Sequence, residues 1–262
     1  MFQVTPLLDG IFEIPAETFL YVGDEAEGAR IRAAKAGPAT PVPVNCFLLR
    51  GGPELTLIDA GTGSAWGPGL GQARAALAAE GVRPDAIDRI LLTHVHGDHA
   101  LGLFEGEAVY FPRARISVPA TDLAYFTDPS ARAAVPAAWR SGFDIADRLQ
   151  HLYAGRIDTF TGNEVREGII ALPLPGHTPG HTGYRFDTPE GELLLWGDAL
   201  HLKDVQPGSP RTGLIYDTDP ELALRSRQLV LDLAARERIR VGGGHIPGFL
   251  RVLRDGEAFR LV

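Results

Sequence analysis

Residues 90–99 read Ile90-Leu91-Leu92-Thr93-His94-Val95-His96-Gly97-Asp98-His99. An apolar run enters a turn that holds three imidazoles and a carboxylate. Protonated together, the imidazoles would repel; buried without partners, all four groups would lose water. A divalent cation removes both difficulties. Side chains alternate along an extended chain, so His94 and His96 point the same way as the chain leaves the strand. Asp98 and His99 follow where the chain curls towards a helix, and they face a second point nearby. This spacing suits two metal ions with nitrogen and oxygen ligands better than one closed structural zinc site. A histidine-rich surface turn is the plainer reading of a lone HxH, but not of HxHxDH directly after an apolar strand.

Three further stretches offer partners. Pro175-Gly176-His177-Thr178-Pro179-Gly180-His181 is a turn punctuated by glycine and proline, Leu193-Leu194-Leu195-Trp196-Gly197-Asp198 an apolar strand ending in a carboxylate, and Val241-Gly242-Gly243-Gly244-His245 a short apolar stretch running through glycines to histidine. Each places a ligand-type residue on a loop or strand end, where a rigid scaffold presents function.

With THVHGDH at 93–99, PGHTPGH at 175–181, WGDAL at 196–200 and GGGHIPG at 242–248, the chain resembles the metallo-β-lactamase-fold hydrolase superfamily from about Val44 to the C-terminus. Four separate motifs in the right order make the resemblance specific. It implies an α/β fold, a four-layer αββα sandwich with two mixed sheets packed face to face and helices outside. It also implies that His94, His96 and His177 hold one metal, that Asp98, His99 and His245 hold another, and that Asp198 bridges them. The implied cofactors are two divalent ions, zinc first, with manganese, cobalt or iron accepted by the same donors. Water bound between such ions falls from a pKa of roughly 15.7 to about 7, so a bridging hydroxide is available at neutral pH.

The resemblance also separates neighbours. The true β-lactamases generally lack an aspartate at the bridging position, and the flavodiiron reductases carry a glutamate in the first motif. Nucleases usually add a domain and a basic surface. The position three residues after Asp198 discriminates further: quorum-quenching lactonases place a tyrosine there, whereas this chain has His201, which resembles the methyl parathion hydrolase-like branch. Tyr216-Asp217-Thr218-Asp219 and His245-Ile246-Pro247-Gly248 are similar to that branch as well. Asp98, Asp198 and His201 are thus the candidate catalytic residues, with His201 either donating a proton or serving as a structural, hydrogen-bonded ring. His181 is expected to be structural, and Asp59 to orient a ligand histidine. His151 is expected in solvent and Cys46 in the core.

Along the chain, residues 2–15 read as a hairpin turning at Asp9-Gly10, and 16–43 as a long N-terminal loop with a helical turn near 29–36. Hairpins are expected at 46–59 and 184–198, and helices at 70–80 and 220–236. Residues 119–160 read as a helical insertion rich in aromatics (Tyr125, Phe126, Trp139, Phe143, Tyr153), core or substrate wall. No linker splits the chain, so one domain over 1–262 is expected.

A chain of 262 residues, 45% hydrophobic and 22% charged, can bury a large core. Its net charge of −8 argues against a grip on nucleic-acid phosphates. Lys35 and Lys203 are its lysines, and the arginines are scattered. No transmembrane-length apolar run and no signal-peptide pattern at 1–10 appear, so a soluble, cytoplasmic protein is expected; a leader removed earlier would leave no trace. The expected partner is a small-molecule substrate, with no nucleic acid and no membrane; the aromatic insertion is either a pocket lid or the interface of a homodimer. The leading function is a dinuclear metallohydrolase of small, partly apolar esters, lactones or phosphotriesters. The alternative is a glyoxalase II-like thioesterase or a mononuclear iron sulfur dioxygenase. Those relatives bind glutathione and need basic residues at the mouth, for which Arg211 and Lys203 are the candidates. A non-catalytic metal-binding module would have no need of the complete ligand set.

Overall fold

Strand after strand in this chain is apolar on both faces, and the computed structural model shows where the two faces go. It describes residues 1–34, 37 and 39–262. Phe47 and Leu49 of the strand Thr40–Arg50 meet a second sheet, whereas Cys46 and Leu48, one position out of phase, lie under helices. Ile58 and Leu91 likewise face the second sheet, and Leu57 and Ile90 face the helices. In the second sheet Leu193 and Leu195 point inward, while Leu194 and Trp196 pack against Val230, Leu231 and Ala234 of the helix Pro220–Glu237. Period-two alternation across three apolar clusters thus builds helix, sheet, sheet and helix in four layers, the α/β sandwich expected.

The first sheet has six strands in the order Gln3–Ile14, Thr40–Arg50, Thr56–Ile58, Arg89–Leu91, Arg115–Pro119, Ile157–Phe160. Its first three strands are antiparallel, and the pairings from Thr56–Ile58 onward are parallel. The second sheet has seven strands, Glu164–Arg166, Ile169–Pro173, Thr182–Thr188, Gly191–Leu195, Arg240–Gly242, Leu250–Asp255 and Ala258–Leu261, with one parallel pairing, Gly191–Leu195 with Arg240–Gly242. Strands that run parallel end on the same side, and the loops bearing the candidate ligands leave from those ends.

Three readings of the sequence need correction. Residues 2–15 do not turn back at Asp9-Gly10: Gln3–Ile14 is one strand of 12 residues, and its register against Thr40–Arg50 shifts between Leu8 and Gly10. The turn signal marks a bulge, which swings Asp9 into the protein. There its carboxylate accepts from Thr62 N (3.0 Å), Thr62 Oγ1 (2.6 Å), Gly71 N (3.1 Å) and Ala73 N (3.1 Å). The 16–43 loop carries structure: Phe19–Tyr21 pairs with Thr212–Leu214, Glu25–Ala34 is helical, and residue 40 already opens the next strand. Burial of Phe19 with Ile14, Val42, Leu202 and Leu214 holds it down. The helical turn near 29–36 is observed as far as Ala34; Lys35 and Ala36 lie outside the described residues. Finally, the insertion at 119–160 is a crossover. Its helices Ala120–Phe126, Pro129–Ala134 and Ser141–Leu152 join two adjacent parallel strands, and Ile157–Phe160 belongs to the sheet.

Asp9 is buried with four donors aimed at it. Asp9→Ala leaves those donors without an acceptor in a dry site, and hydrogen bonds to a charged group contribute about 1.5–3 kcal/mol each. The expected outcome is a loss of about 3 kcal/mol or more in urea unfolding, with Leu8→Ala, exposed on the same strand, as the control that changes little.

Candidate metal centre

The strand Arg89–Leu91 delivers Thr93 to the mouth of the sandwich. Its amide and hydroxyl donate to the two carboxylate oxygens of Asp59, at 2.8 and 2.9 Å. Asp59 sits in the left-handed region at φ 59°, which costs an L-residue roughly 1 kcal/mol. That conformation lets the same carboxylate receive His99 Nδ1 at 2.8 Å. The expected orienting role for Asp59 has this geometry behind it.

The other histidines are tethered in the same way. His94 Nδ1 lies 3.0 Å from Thr93 Oγ1, His177 Nδ1 2.9 Å from Asp217 Oδ1, and His245 Nδ1 2.9 Å from the Pro43 carbonyl. With Nδ1 tethered, each ring turns Nε2 the other way, and the Nε2 atoms converge on Asp198 Oδ2. The distances are 3.8 Å from His94, 3.2 Å from His99, 3.4 Å from His177, 3.1 Å from His245 and 3.3 Å from His201. His96 presents Nδ1 instead, 3.0 Å from His177 Nε2. Asp98 Oδ2 lies 3.2 Å from His245 Nε2 and 3.5 Å from His99 Nε2. The fold therefore gathers every residue named from the sequence: His94, His96 and His177 in one group, Asp98, His99, Asp198 and His245 in a second, with His201 sharing His177 and Asp198.

One oxygen cannot accept five hydrogen bonds. His94 Nε2 and Asp198 Oδ1 are buried without any partner, as is His201 Nδ1. Orphaned nitrogen and carboxylate oxygen atoms aimed at a common space fit borderline divalent cations. Burial holds the His94 imidazole well below its ordinary pKa, with the neighbouring rings of His99 and His96 adding to it. His96 is pushed down to about 3 by the same burial and by His177. Burial also pushes His99 and His245 down, but Asp198 and Asp98 outweigh it, lifting His99 well up and His245 to about 10.

Sequence reasoning passed over several residues that build this arrangement. Asp122, buried at the start of its helix, accepts from Val95 N at 2.8 Å and from Gly180 N at 2.9 Å, joining the first histidine motif to the loop of His177. Asn45 Nδ2 donates to the carbonyls of Gly243 (3.1 Å) and Ile246 (2.8 Å), on either side of His245. No spacing rule links these residues to the motifs they hold. His181 stands apart from the ligand groups: its Nδ1 donates to the Leu174 carbonyl at 2.8 Å and its Nε2 accepts from Asp198 N at 2.9 Å. His151 is exposed and Cys46 buried.

A pocket of about 230 Å³ opens onto the cluster. His96, Asp98, His177, Asp198, His201 and His245 form its polar side. Its apolar side brings Phe12 with Trp66 (ring centroids 5.8 Å apart) and Trp139 with Tyr216 (6.1 Å). No lysine or arginine is among the residues lining it. Lys203 is exposed beside Asp204, and Arg211 donates to the Val22 carbonyl. Of the five aromatics of the crossover, Trp139 alone lines the pocket; Phe126, Phe143 and Tyr153 are core, and Tyr125 packs against that core.

Residues 39–245 match the family model of the metallo-beta-lactamase superfamily. YobT, an uncharacterized protein of Bacillus subtilis (strain 168), is 33% identical over 202 residues, 73% of this chain and 79% of that protein. The solved structure of AbOPH, a hydrolase in the beta lactamase superfamily, superposes with a TM-score of 0.87 at 27% identity, over 100% of this chain and 94% of that one. AidC, a dizinc quorum-quenching lactonase solved with a product, N-hexanoyl-L-homoserine, shares the fold with a TM-score of 0.86 at 22% identity, over 100% of this chain and 94% of its own. Among the described residues no helix is long and apolar enough to cross a membrane. The chain belongs to the metallo-β-lactamase superfamily, as a metal-dependent hydrolase.

Proposed function

We propose that the chain is a dinuclear hydrolase that opens a small, uncharged, partly apolar ester, lactone or phosphotriester. The observation that carries this reading is the convergence of five imidazole nitrogens on Asp198 Oδ2 at one side of an aromatic pocket without cationic lining. In the ligand set we infer, His94, His96 and His177 serve one position, Asp98, His99 and His245 the other, and Asp198 both. When bound, the two divalent cations, zinc first, supply a water acidic enough to attack at neutral pH and a Lewis acid for the oxygen under attack. The lactonase and hydrolase neighbours support the class of chemistry. A lining without lysine or arginine counts against a glutathione thioester, whose carboxylates would want a basic partner at the mouth.

The remaining work falls to this chain's side chains. Phe12, Trp66, Trp139 and Tyr216 hold the apolar part of the substrate and exclude water from the bond to be cut. His201 differs from its neighbours: its Nε2 faces Asp198, its ring stacks on His245 at 4.8 Å and 15°, yet its Nδ1 has no tether. A ring without that tether is poorly fixed as a ligand and well placed to pass a proton or hydrogen bond to the leaving oxygen.

Asp198→Asn keeps the shape but removes the shared charge. It is expected to lower metal content, measured on protein dialysed against zinc, and to cut turnover by orders of magnitude. Equal turnover at matched metal content would refute the assignment.

His201→Ala is expected to slow lactone opening by about 10²–10⁴-fold, the usual worth of general acid assistance. Cleavage of p-nitrophenyl esters, whose leaving group needs no proton, should change far less. Equal slowing of both substrates, or metal loss, would make His201 a support of the site rather than a participant.

Proton counting gives a third test. The metal-free site holds protons on His245, raised from 6.5 to about 10, and on His99, also raised. A base with a raised pKa stabilises the fold fully below 6.5 and loses that contribution as pH rises through about 10. Metal-free protein should therefore lose stability from neutral to alkaline pH, while metal affinity rises over the same interval. Calorimetry of zinc uptake at pH 7 in buffers of different ionisation enthalpy should register proton release. Zinc uptake with no proton released would contradict the charge assignment.

A further inference from the structure

The helix Pro220–Glu237 carries a guanidinium in its buried face. Arg227 is 1% exposed, surrounded by residues that pack the second sheet. Burying an arginine is unfavourable unless its donors are used, and a hydrophobic residue of similar volume generally serves packing as well or better. All three of its arms are used. Nε donates to the Ala199 carbonyl at 2.9 Å, Nη1 to the Pro210 carbonyl at 2.8 Å, and Nη2 reaches Asp217 Oδ2 at 3.4 Å. The other oxygen of Asp217 faces His177 Nδ1 at 2.9 Å, and Ala199 directly follows Asp198. One buried cation therefore touches both the carboxylate that orients His177 and the main chain that carries Asp198.

Asp217 has few other constraints on its carboxylate. The backbone around it is fixed, since Thr218 N donates to the His177 carbonyl at 3.0 Å and Asp219 N to the Gly176 carbonyl at 2.9 Å. Those bonds place the loop, and the carboxylate itself meets His177 through one oxygen and Arg227 through the other. Held by Arg227 on one oxygen, the carboxylate presents its other oxygen to the imidazole.

We propose that Arg227 is a positioning residue of the metal centre, acting through Asp217 on His177. The inference rests on the dinuclear reading above and concerns the metal position that His177 serves. Outer partners of ligand histidines typically change metal affinity by about 10–100-fold when removed.

Cobalt(II) is the probe, titrated into metal-free full-length protein and followed by its visible absorption. In R227M one of the two binding steps is expected to weaken by about 10–100-fold, and R227K, which keeps the charge but loses the three-armed geometry, recovers part of that loss. In protein already carrying His177→Ala, R227M should change neither step further, because the route of its effect is gone. Should R227M fail to fold, Asp217→Asn takes its place with the same expected selectivity. Two steps that weaken together, affinities within twofold of the parent, or an undiminished effect in the His177→Ala background would overturn the proposal. If the unsubstituted protein takes up a single cobalt ion, the dinuclear reading fails. A drop in that ion's affinity in R227M, absent from the His177→Ala background, would still uphold the role of Arg227.

Discussion

Five imidazole nitrogens crowd around one oxygen, Asp198 Oδ2, and most of the structure near them answers to that crowding. In water such groups would spread apart. Here four of the five rings are anchored from behind, and most of the anchors come from distant parts of the chain: Asp59 after one strand, the Pro43 carbonyl in another, Asp217 beside the last long helix. A carboxylate or carbonyl at Nδ1 decides which nitrogen bears the proton and leaves the Nε2 lone pair facing inward. The backbone has to come equally close. A Cβ on Gly244 would lie 2.5 Å from Asp198 Oδ1, and one on Gly197, at φ +55°, 2.5 Å from His181 Nε2. The glycines of the WGD and GGGH motifs make room for the carboxylate and imidazole side chains beside them.

The two-sheet core supplies the rigidity this demands. Because each sheet is covered on both faces, the strand ends carrying Asp59, His94, Asp198 and His245 cannot drift independently. Polar residues that would normally be costly in such a core finish the task. Asp9, Asn45, Asp122 and Arg227 are all buried, and each points its donors or acceptors at loop backbone. Their bonds tie strands and helices to the loops around the site rather than adding to the sheets, so their main effect is on geometry.

These four also mark the limit of what could be read from the sequence. The candidate ligands were legible because their motifs are local, two residues apart on an extended chain or a few residues past an apolar strand, and the resemblance supplied their grouping. The four-layer fold was legible through the resemblance that the four motifs carry, and the structure supplies the strands buried on both faces that it requires. Asp9 was misread because Asp-Gly is a hairpin signal whose meaning depends on the partner strand; Thr40–Arg50 absorbs it as a bulge. The region 16–43 looked like a loop because its stability lies in Phe19 and Val42 packing against Leu202 and Leu214, nearly two hundred residues away. Asp122, Asn45 and Arg227 carry no pattern at all, since each acts on backbone atoms brought near only by folding.

The aromatic residues show the same division within one segment. At helical spacing, Phe126, Phe143 and Tyr153 serve the core, and their neighbour Trp139, in a 3-10 turn between helices, serves the pocket. Its partners there come from elsewhere: Phe12 from the first strand, Trp66 from the loop that Asp9 secures, Tyr216 from the turn beside Asp217. Trp66 and Trp139 remain 41% and 44% exposed, whereas Phe12 and Tyr216 also pack against the cluster around Phe19. At Tyr216 the wall and the anchors meet, because the next residue is Asp217, which holds His177. Buried carboxylates and carbonyls hold the histidines, whereas the aromatic side of the pocket is drawn from four separate segments of the chain.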